Sequence, residues 1–189
     1  DLLDQKSTNL FFKNEKPHNV ICAAAKVGGI YANQLYPGQF LFENLTIQNN
    51  LIHFSHEYGV EHLLFLGSAC IYPKSVDQPI TEGSMLSGPL EPTNEPYALA
   101  KIAGIKLCET YYKQYSDNFI SVMPNNLYGP NDNFHPDTSH VIPALIQKFH
   151  KAKTTSSKYV EIWGTGNPLR EFLHVNDLSE AILFIINNV

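Results

Sequence analysis

Apolar residues fall along this chain in short blocks of two kinds, and their alternation predicts the architecture. Val20-Ile21-Cys22-Ala23-Ala24-Ala25 is a compact apolar run that stops at Gly28-Gly29, as a buried strand would. From Phe40 to Tyr58 the spacing changes: Leu41, Leu45, Ile52 and Ser55 recur at helical intervals, with Gly59 placed to end the helix. His62-Leu63-Leu64-Phe65-Leu66 is a second buried strand, closed by Gly67-Ser68. Strand, helix, strand in that order is the crossover unit of a parallel sheet. A further helix is predicted from Pro96 to about Tyr115, with Ala98, Ile102, Ile105 and Tyr112 on one face. Ile120 to Met123 reads as a third strand ended by Pro124, Val141 to Lys151 as a helix, Val160 to Trp163 as a strand, and Asn176 to Asn187 as a last helix. The fold class expected is α/β with a mostly parallel sheet.

Residues 71 to 95 break this rhythm, with Pro73, Pro79, Gly83, Gly88, Pro89 and Pro92 among several Ser and Thr. A stretch this long without regular structure inside a compact domain is more often a functional loop than a linker. The bulk properties narrow the classes further. Hydrophobic content of 43% with 16% charged residues is ordinary globular composition. A formal charge of −5 with no basic run argues against a nucleic-acid partner, while leaving room for a small phosphate-bearing ligand. Cys22, Cys70 and Cys108 are far apart and form no C-x-x-C pair, so no disulfide framework or zinc ribbon is expected and a reducing, cytoplasmic compartment fits best. No apolar run approaches the ~20 residues of a membrane-spanning helix, so no membrane association is expected.

The sharpest chemical feature is Tyr97-Ala98-Leu99-Ala100-Lys101. Positions i and i+4 of a helix share a face, so phenol and ammonium can converge on one point. A cation beside the phenol would lower its pKa toward the working range and make it a usable proton donor to a carbonyl. Alone, Y-x-x-x-K recurs on many helices by chance, with an exposed aromatic and a solvated lysine. Two further segments change its weight. Gly67-Ser68 follows the second strand and the polar turn Asn125 to Pro130 follows the third, and ligands of open α/β sheets bind beyond the carboxyl ends of strands.

Ser68, Tyr97 and Lys101, in this order, resemble the catalytic triad of short-chain dehydrogenases/reductases. Longer strings narrow the resemblance: Ala23-Ala24-Ala25-Lys26-Val27-Gly28-Gly29-Ile30, then Leu66 through Pro73, Glu91 through Tyr97, Asn131 through Pro136, and Arg170 through Val175. Together they are similar to the GDP-L-fucose synthase family, within the extended short-chain dehydrogenases/reductases. The resemblance implies an NAD(P)-binding Rossmann-like parallel sheet with helices on both faces, plus the start of a smaller substrate domain. It implies the dinucleotide-binding domain over residues 1–135, a substrate-domain segment over 136–175, and a returning helix over 176–189. The implied activity is NADPH-dependent 3,5-epimerisation and 4-reduction of GDP-4-keto-6-deoxy-D-mannose by a cytoplasmic homodimer.

The same resemblance implies roles residue by residue. Tyr97 protonates the C4 oxygen, Lys101 holds the nicotinamide ribose, and Ser68 orients the ketone. Cys70 and His140 are the base and acid of epimerisation; read without the family, Cys70 is a small buried hydrophobe and His140 a surface residue at a helix start. NADP contacts are implied for Leu66, Gly67, Ser68, Ala69, Lys101, Pro124, Asn125, Asn126, Leu127 and His140. Lys148, Trp163 and Arg170 are implied to hold the GDP-sugar, where the alternatives are a solvated lysine for Lys148 and core packing for Trp163. No metal site is expected, since His135 and His140 have no ligand set at metal spacing. Asn44-Leu45-Thr46 matches a glycosylation sequon but falls inside a predicted helix.

Two departures bear on these expectations. Ala69 stands where relatives often carry a second Ser, and Asn125 where Thr is frequent. No G-x-x-G-x-x-G occurs, and the chain opens without Met. The expectation is therefore a piece of a longer gene product that is inactive by itself. Two other readings stay open: another extended-family nucleotide-sugar epimerase or dehydratase, or a non-catalytic interaction protein derived from such an enzyme.

Overall fold

The computed structural model describes residues 1–135 and 138–189; Pro136, where the expected domain boundary falls, lies outside the described residues. The chain opens with helix α1 (Gln5–Glu15), which the hydrophobic pattern did not predict. Asp4 caps it, accepting from the Lys6 N–H at 2.9 Å and the Ser7 hydroxyl at 2.6 Å, and Phe12 plugs its inner face into the core. Strand β1 (Asn19–Cys22) follows, then helices α2 (Ile30–Leu35) and α3 (Pro37–Glu57), strand β2 (His62–Leu66), helix α4 (Glu95–Tyr115) and strand β3 (Phe119–Val122). The three strands form a parallel sheet in the order β1-β2-β3, with Val20 opposite Leu63 and Leu64 opposite Ile120.

Central β2 explains the layering. Leu63 and Phe65 point into a core shared with Phe54, Ile52, Ile102 and Ile105 from α3 and α4. Leu64, between them, is equally buried but faces the other way, as strand alternation requires. Helix α6 (Val175–Asn188), which buries Ile182, lies against β2. Helices therefore cover both faces. Gly104 makes the α3–α4 layer possible. A Cβ there would lie 2.5 Å from the Phe65 ring and 2.9 Å from Gln48 Oε1. At the end of α3, Gly59 takes φ +68, a left-handed conformation that glycine adopts without strain.

Several expectations need correction. The first strand ends at Cys22 rather than Ala25, and Ile21 on it is exposed, because β1 has a neighbour on one side only among the described residues. Tyr112 is 62% exposed; the inner face of α4 continues through Gly104 and Cys108 instead. Helix α3 buries three amides, Asn44, Gln48 and Asn50, while Leu41 and Leu45 are only half-buried. Residues 160–163 form no strand, because no neighbouring strand offers them hydrogen bonds. The expected polar turn at 125–130 contains strand β4 (Asn126–Tyr128), paired in parallel with β5 (Phe172–His174) in a second, two-stranded sheet. Helix α5 (Val141–Thr154) lies between them in sequence. No helix of the described residues is long and apolar enough to cross a membrane.

Candidate functional site

Just beyond the ends of β1, β2 and β3, Ala23, Gly67 and Pro124 (the second residue after β3) line one cleft of about 830 Å³. Three parallel strands end there together, so backbone groups that would pair inside a sheet are presented to a ligand. Ser68, Cys70 and Tyr97 line it, and so do His140, Lys148, Trp163 and Arg170. Gly67, Ala69 and Pro124 to Leu127 complete the expected set. Leu66 and Lys101 are the two expected site residues that do not reach the lining.

Each element delivers its side chain for a local reason. Beyond β2, Ser68 caps a short 3-10 turn (Ala69–Ile71), its hydroxyl accepting from the Cys70 N–H at 3.4 Å. That turn holds the hydroxyl and the thiol side by side. Pro96 sits in the first turn of α4, where a missing N–H costs nothing, and sets Tyr97 at the cleft. One turn on, Lys101 is buried, and its Nζ donates to Leu66 O at 2.8 Å and sits 4.7 Å from the Phe65 ring centroid. His140 stands at the N-terminal cap position of α5. Lys148, two turns further, donates to Glu161 O at 3.0 Å and lies 4.4 Å over the Trp163 ring. Asn125 and Asn126 tie this wall to the segment before β5, donating to Glu171 Oε2 at 2.7 Å and to Glu171 O at 3.0 Å.

The electrostatics differ from the sequence-based expectation. The Tyr97 phenol is held well above its ordinary value, chiefly by burial and then by the neighbouring Cys70, with Ser68 pulling the other way. The ammonium of Lys101 does not lower it: its hydrogen bond goes to Leu66 O, and it lies 5.8 Å from the centre of the Tyr97 ring. Burial also pushes the Cys70 thiol up rather than down. Ser68 and then the charge of Lys101 oppose that shift. Lys101 itself is lowered by burial. The arrangement is therefore a protonated phenol and a protonated thiol set around one hydroxyl. It can donate a proton to a bound oxygen, and it needs a ligand or a change of hydration before the thiol acts as a base.

The cleft also has a wall that sequence reasoning did not single out. Phe40 from α3, the Gly28-Gly29 segment, Asn33 and Ser139 all line it. Gly29 N–H donates to Thr138 O at 3.1 Å, and Asn33 Nδ2 donates to Gly28 O at 2.9 Å and Gly29 O at 3.1 Å. The paired glycines were the available signal. A Cβ on Gly29 would come within 2.8 Å of Ser139 O. Among the described residues no group of three or more His, Cys, Asp or Glu comes together as metal ligands would.

Comparison with known proteins places the chain in a family. The family model described as the NAD dependent epimerase/dehydratase family matches residues 1–189. GDP-L-fucose synthase 1 of Arabidopsis thaliana is 58% identical over 187 residues, which are 99% of this chain and 58% of that protein. GDP-L-fucose synthase of Escherichia coli K12 is 55% identical over 98% of this chain and 58% of its own length. A crystal structure of a GDP-L-fucose synthetase from Naegleria fowleri bound to NADP superposes with a TM-score of 0.88 at 32% identity, covering 98% of this chain and 60% of that one. The chain thus spans a little under three fifths of the curated relatives it matches.

Proposed function

Because this chain belongs to the NAD dependent epimerase/dehydratase family, we propose that it carries the reacting centre of a GDP-L-fucose synthase. Such an enzyme converts GDP-4-keto-6-deoxy-D-mannose to GDP-L-fucose with NADPH. The observation that carries this reading is the convergence of Ser68, Cys70, Tyr97 and His140 on one cleft at the ends of three parallel strands. Identity of 55–58% to GDP-L-fucose synthases over nearly the whole chain supports it.

The donor set fits a dinucleotide. Lys101 has three N–H donors, of which one goes to Leu66 O while the ammonium also lies over the Phe65 ring, and a ribose hydroxyl would suit a remaining donor. Gly67 to Ala69 and Pro124 to Leu127 would hold the cofactor, with His140 near it and Leu66 behind them as the acceptor that fixes Lys101. Bound NADPH would supply the hydride to C4. Tyr97, kept protonated by burial, gives its proton to the C4 oxygen and recovers one from solvent. The Ser68 hydroxyl orients that oxygen.

Epimerisation uses the other pair. Protons on C3 and C5 are acidified by the C4 ketone, so a base removes one to leave an enolate and an acid returns one to the opposite face. Cys70 is the base, helped toward thiolate by Ser68 and Lys101, and His140 is the acid. Lys148, Trp163 and Arg170 bind the GDP portion, Arg170 through the diphosphate. In this reading residues 136–175 are the substrate-binding segment and the protein works as a cytoplasmic homodimer.

The test is made on the intact gene product carrying this sequence, given GDP-4-keto-6-deoxy-D-mannose and NADPH in heavy water. Tyr97→Phe should slow NADPH oxidation about 10²–10⁴-fold while C3 and C5 still take up deuterium. Cys70→Ser should abolish the uptake. A parent protein that neither oxidises NADPH nor exchanges those protons sinks the reading.

A further inference from the structure

Helix α3 buries an asparagine where a leucine would pack more simply. Asn44 is 2% exposed, yet its amide is fully engaged. Oδ1 accepts from the Lys26 N–H at 2.8 Å, while Nδ2 donates to Lys26 O at 3.0 Å and to Phe40 O at 2.7 Å. With a donor facing its oxygen and two carbonyls facing its nitrogen, the amide has one workable orientation. It reads the backbone of Lys26 as a neighbouring strand would. The same occupancy disposes of the sequon at Asn44-Leu45-Thr46, since no glycan acceptor is free there in the folded chain.

What Asn44 ties together lies on either side of one ring. Lys26 leads directly into Gly28-Gly29 of the cleft wall, and Phe40 sits one turn before Asn44. The Phe40 ring is 2% exposed. Its tip lies 3.3 Å from where a Cβ on Gly28 would stand. Its centroid is 6.4 Å from that of Tyr97, at 80° between planes, an edge-to-face contact. An ion pair between Lys26 Nζ and Glu43 Oε2 at 3.3 Å braces the outer side.

We propose that Asn44 is a positioning residue for the phenol of Tyr97, acting through Phe40: it locks the loop at Lys26 to the first turn of α3, so that the Phe40 ring is wedged between Gly28 and Tyr97. This rests on the reading of Tyr97 as the proton donor in reduction. Epimerisation depends on Cys70 and His140; the Phe40 ring meets Tyr97 and the Gly28 position instead, so in Phe40→Leu, which leaves the Gly29–Thr138 hydrogen bond in place, the two half-reactions separate the roles.

The experiment uses the intact gene product with Phe40→Leu and Asn44→Asp. Phe40→Leu keeps an apolar side chain and removes the ring edge. Asn44→Asp keeps the acceptor for the Lys26 N–H and removes both donations. Each should lower kcat for NADPH oxidation about tenfold, since small misplacements of a reacting group are costly. KM for the GDP-sugar should stay within about twofold, the isotope effect with deuterated NADPH should rise, and deuterium uptake at C3 and C5 should stay at the parent rate. Reduction at the parent rate in a folded Phe40→Leu protein overturns the proposal, and so does an equal fall in reduction and exchange. Phe40→Leu decides alone if Asn44→Asp does not fold. A parent protein with neither reaction defeats the functional reading and this inference together, a pattern distinct from both.

Discussion

The two walls of the cleft are built on different physical terms. On the β1-β2-β3 side, Tyr97 and Ser68 stand on elements whose inner faces vanish from solvent; Phe65 and Ile52 are fully buried. On the other side, the segment between α5 and β5 has almost no cover, with Tyr159 at 85%, Trp163 at 64% and Leu169 at 91% exposure. On the function proposed, the groups that move protons need fixed geometry and a dry setting, and the packed wall supplies both. Groups that grip a large, charged ligand need reach and room, and an extended segment anchored at a few points supplies those. Trp163 is anchored by Lys148, and the segment's end by Asn125 and Asn126 on Glu171. Stability should therefore report on the first wall and ligand affinity on the second.

Alkali should expose the packed wall most strongly. Burial raises the thiols of Cys22 and Cys108 from an ordinary 9.0 to about 11 and about 12. A group raised in the folded state contributes stability that is whole below its unfolded pKa and is lost as pH climbs through the folded value. At pH 10 each thiol has thus withdrawn on the order of 1 kcal/mol. Lys101, lowered by burial, works in the opposite sense and recovers some stability as pH rises toward its ordinary 10.5. The net expectation is a Tm some 5–10 °C lower at pH 10 than at pH 8, followed by circular dichroism. Cys108→Ala should flatten that dependence. If it leaves the slope unchanged, the packed wall is not as dry as the geometry indicates.

Gly104→Ala tests the same wall through volume alone. The added methyl meets the Phe65 ring and the Gln48 amide, both buried. Overpacking of this kind costs about 1–3 kcal/mol, against a helix-propensity gain of about 1 kcal/mol. The denaturant midpoint should fall, with KM for the GDP-sugar unchanged. A midpoint that rises would mean α3 and α4 separate easily, and the contrast between the walls would lose its basis.

How much of this was legible beforehand follows the same division. Strand β2 and helix α4 were visible because their apolar positions are dictated by a core they both enter, and the local pattern carries the tertiary demand. Residues 160–163 have strand-like composition, but a strand exists only where a partner offers hydrogen bonds, and pattern cannot announce the partner's absence. The reverse happened at Asn126–Tyr128, where a polar-looking turn becomes a strand by pairing with residues 46 positions later. Ser68, Cys70 and Tyr97 of the cleft lining were identifiable through family strings, whereas Phe40, which also lines it, and Asn44 behind it were not. Their roles consist of contacts with Tyr97 and Lys26, and neither spacing nor composition encodes those. The protonation of Tyr97 was misjudged for a related reason. The i to i+4 spacing is real, but the ammonium turns to a strand carbonyl that helical geometry alone does not reveal.

Trp163 is the sharpest probe of the open wall, and the one with the smallest expected effect. Its ring lies beneath the Lys148 ammonium at 4.4 Å, and both line the cleft. A cation over an aromatic face at an exposed site is worth about 0.5–1 kcal/mol. Trp163→Ala should therefore weaken binding of GDP-L-fucose about two- to fivefold by calorimetry, because Lys148 loses the surface that holds its charge in the cleft. Trp163→Phe, which restores a ring face, should recover part of the loss. Since Trp163 contributes little to the core, Tm should stay within about 1 °C of the parent. A fall in Tm larger than the fall in affinity would show that this segment supports the fold after all, and the division of labour between the walls would have to be abandoned.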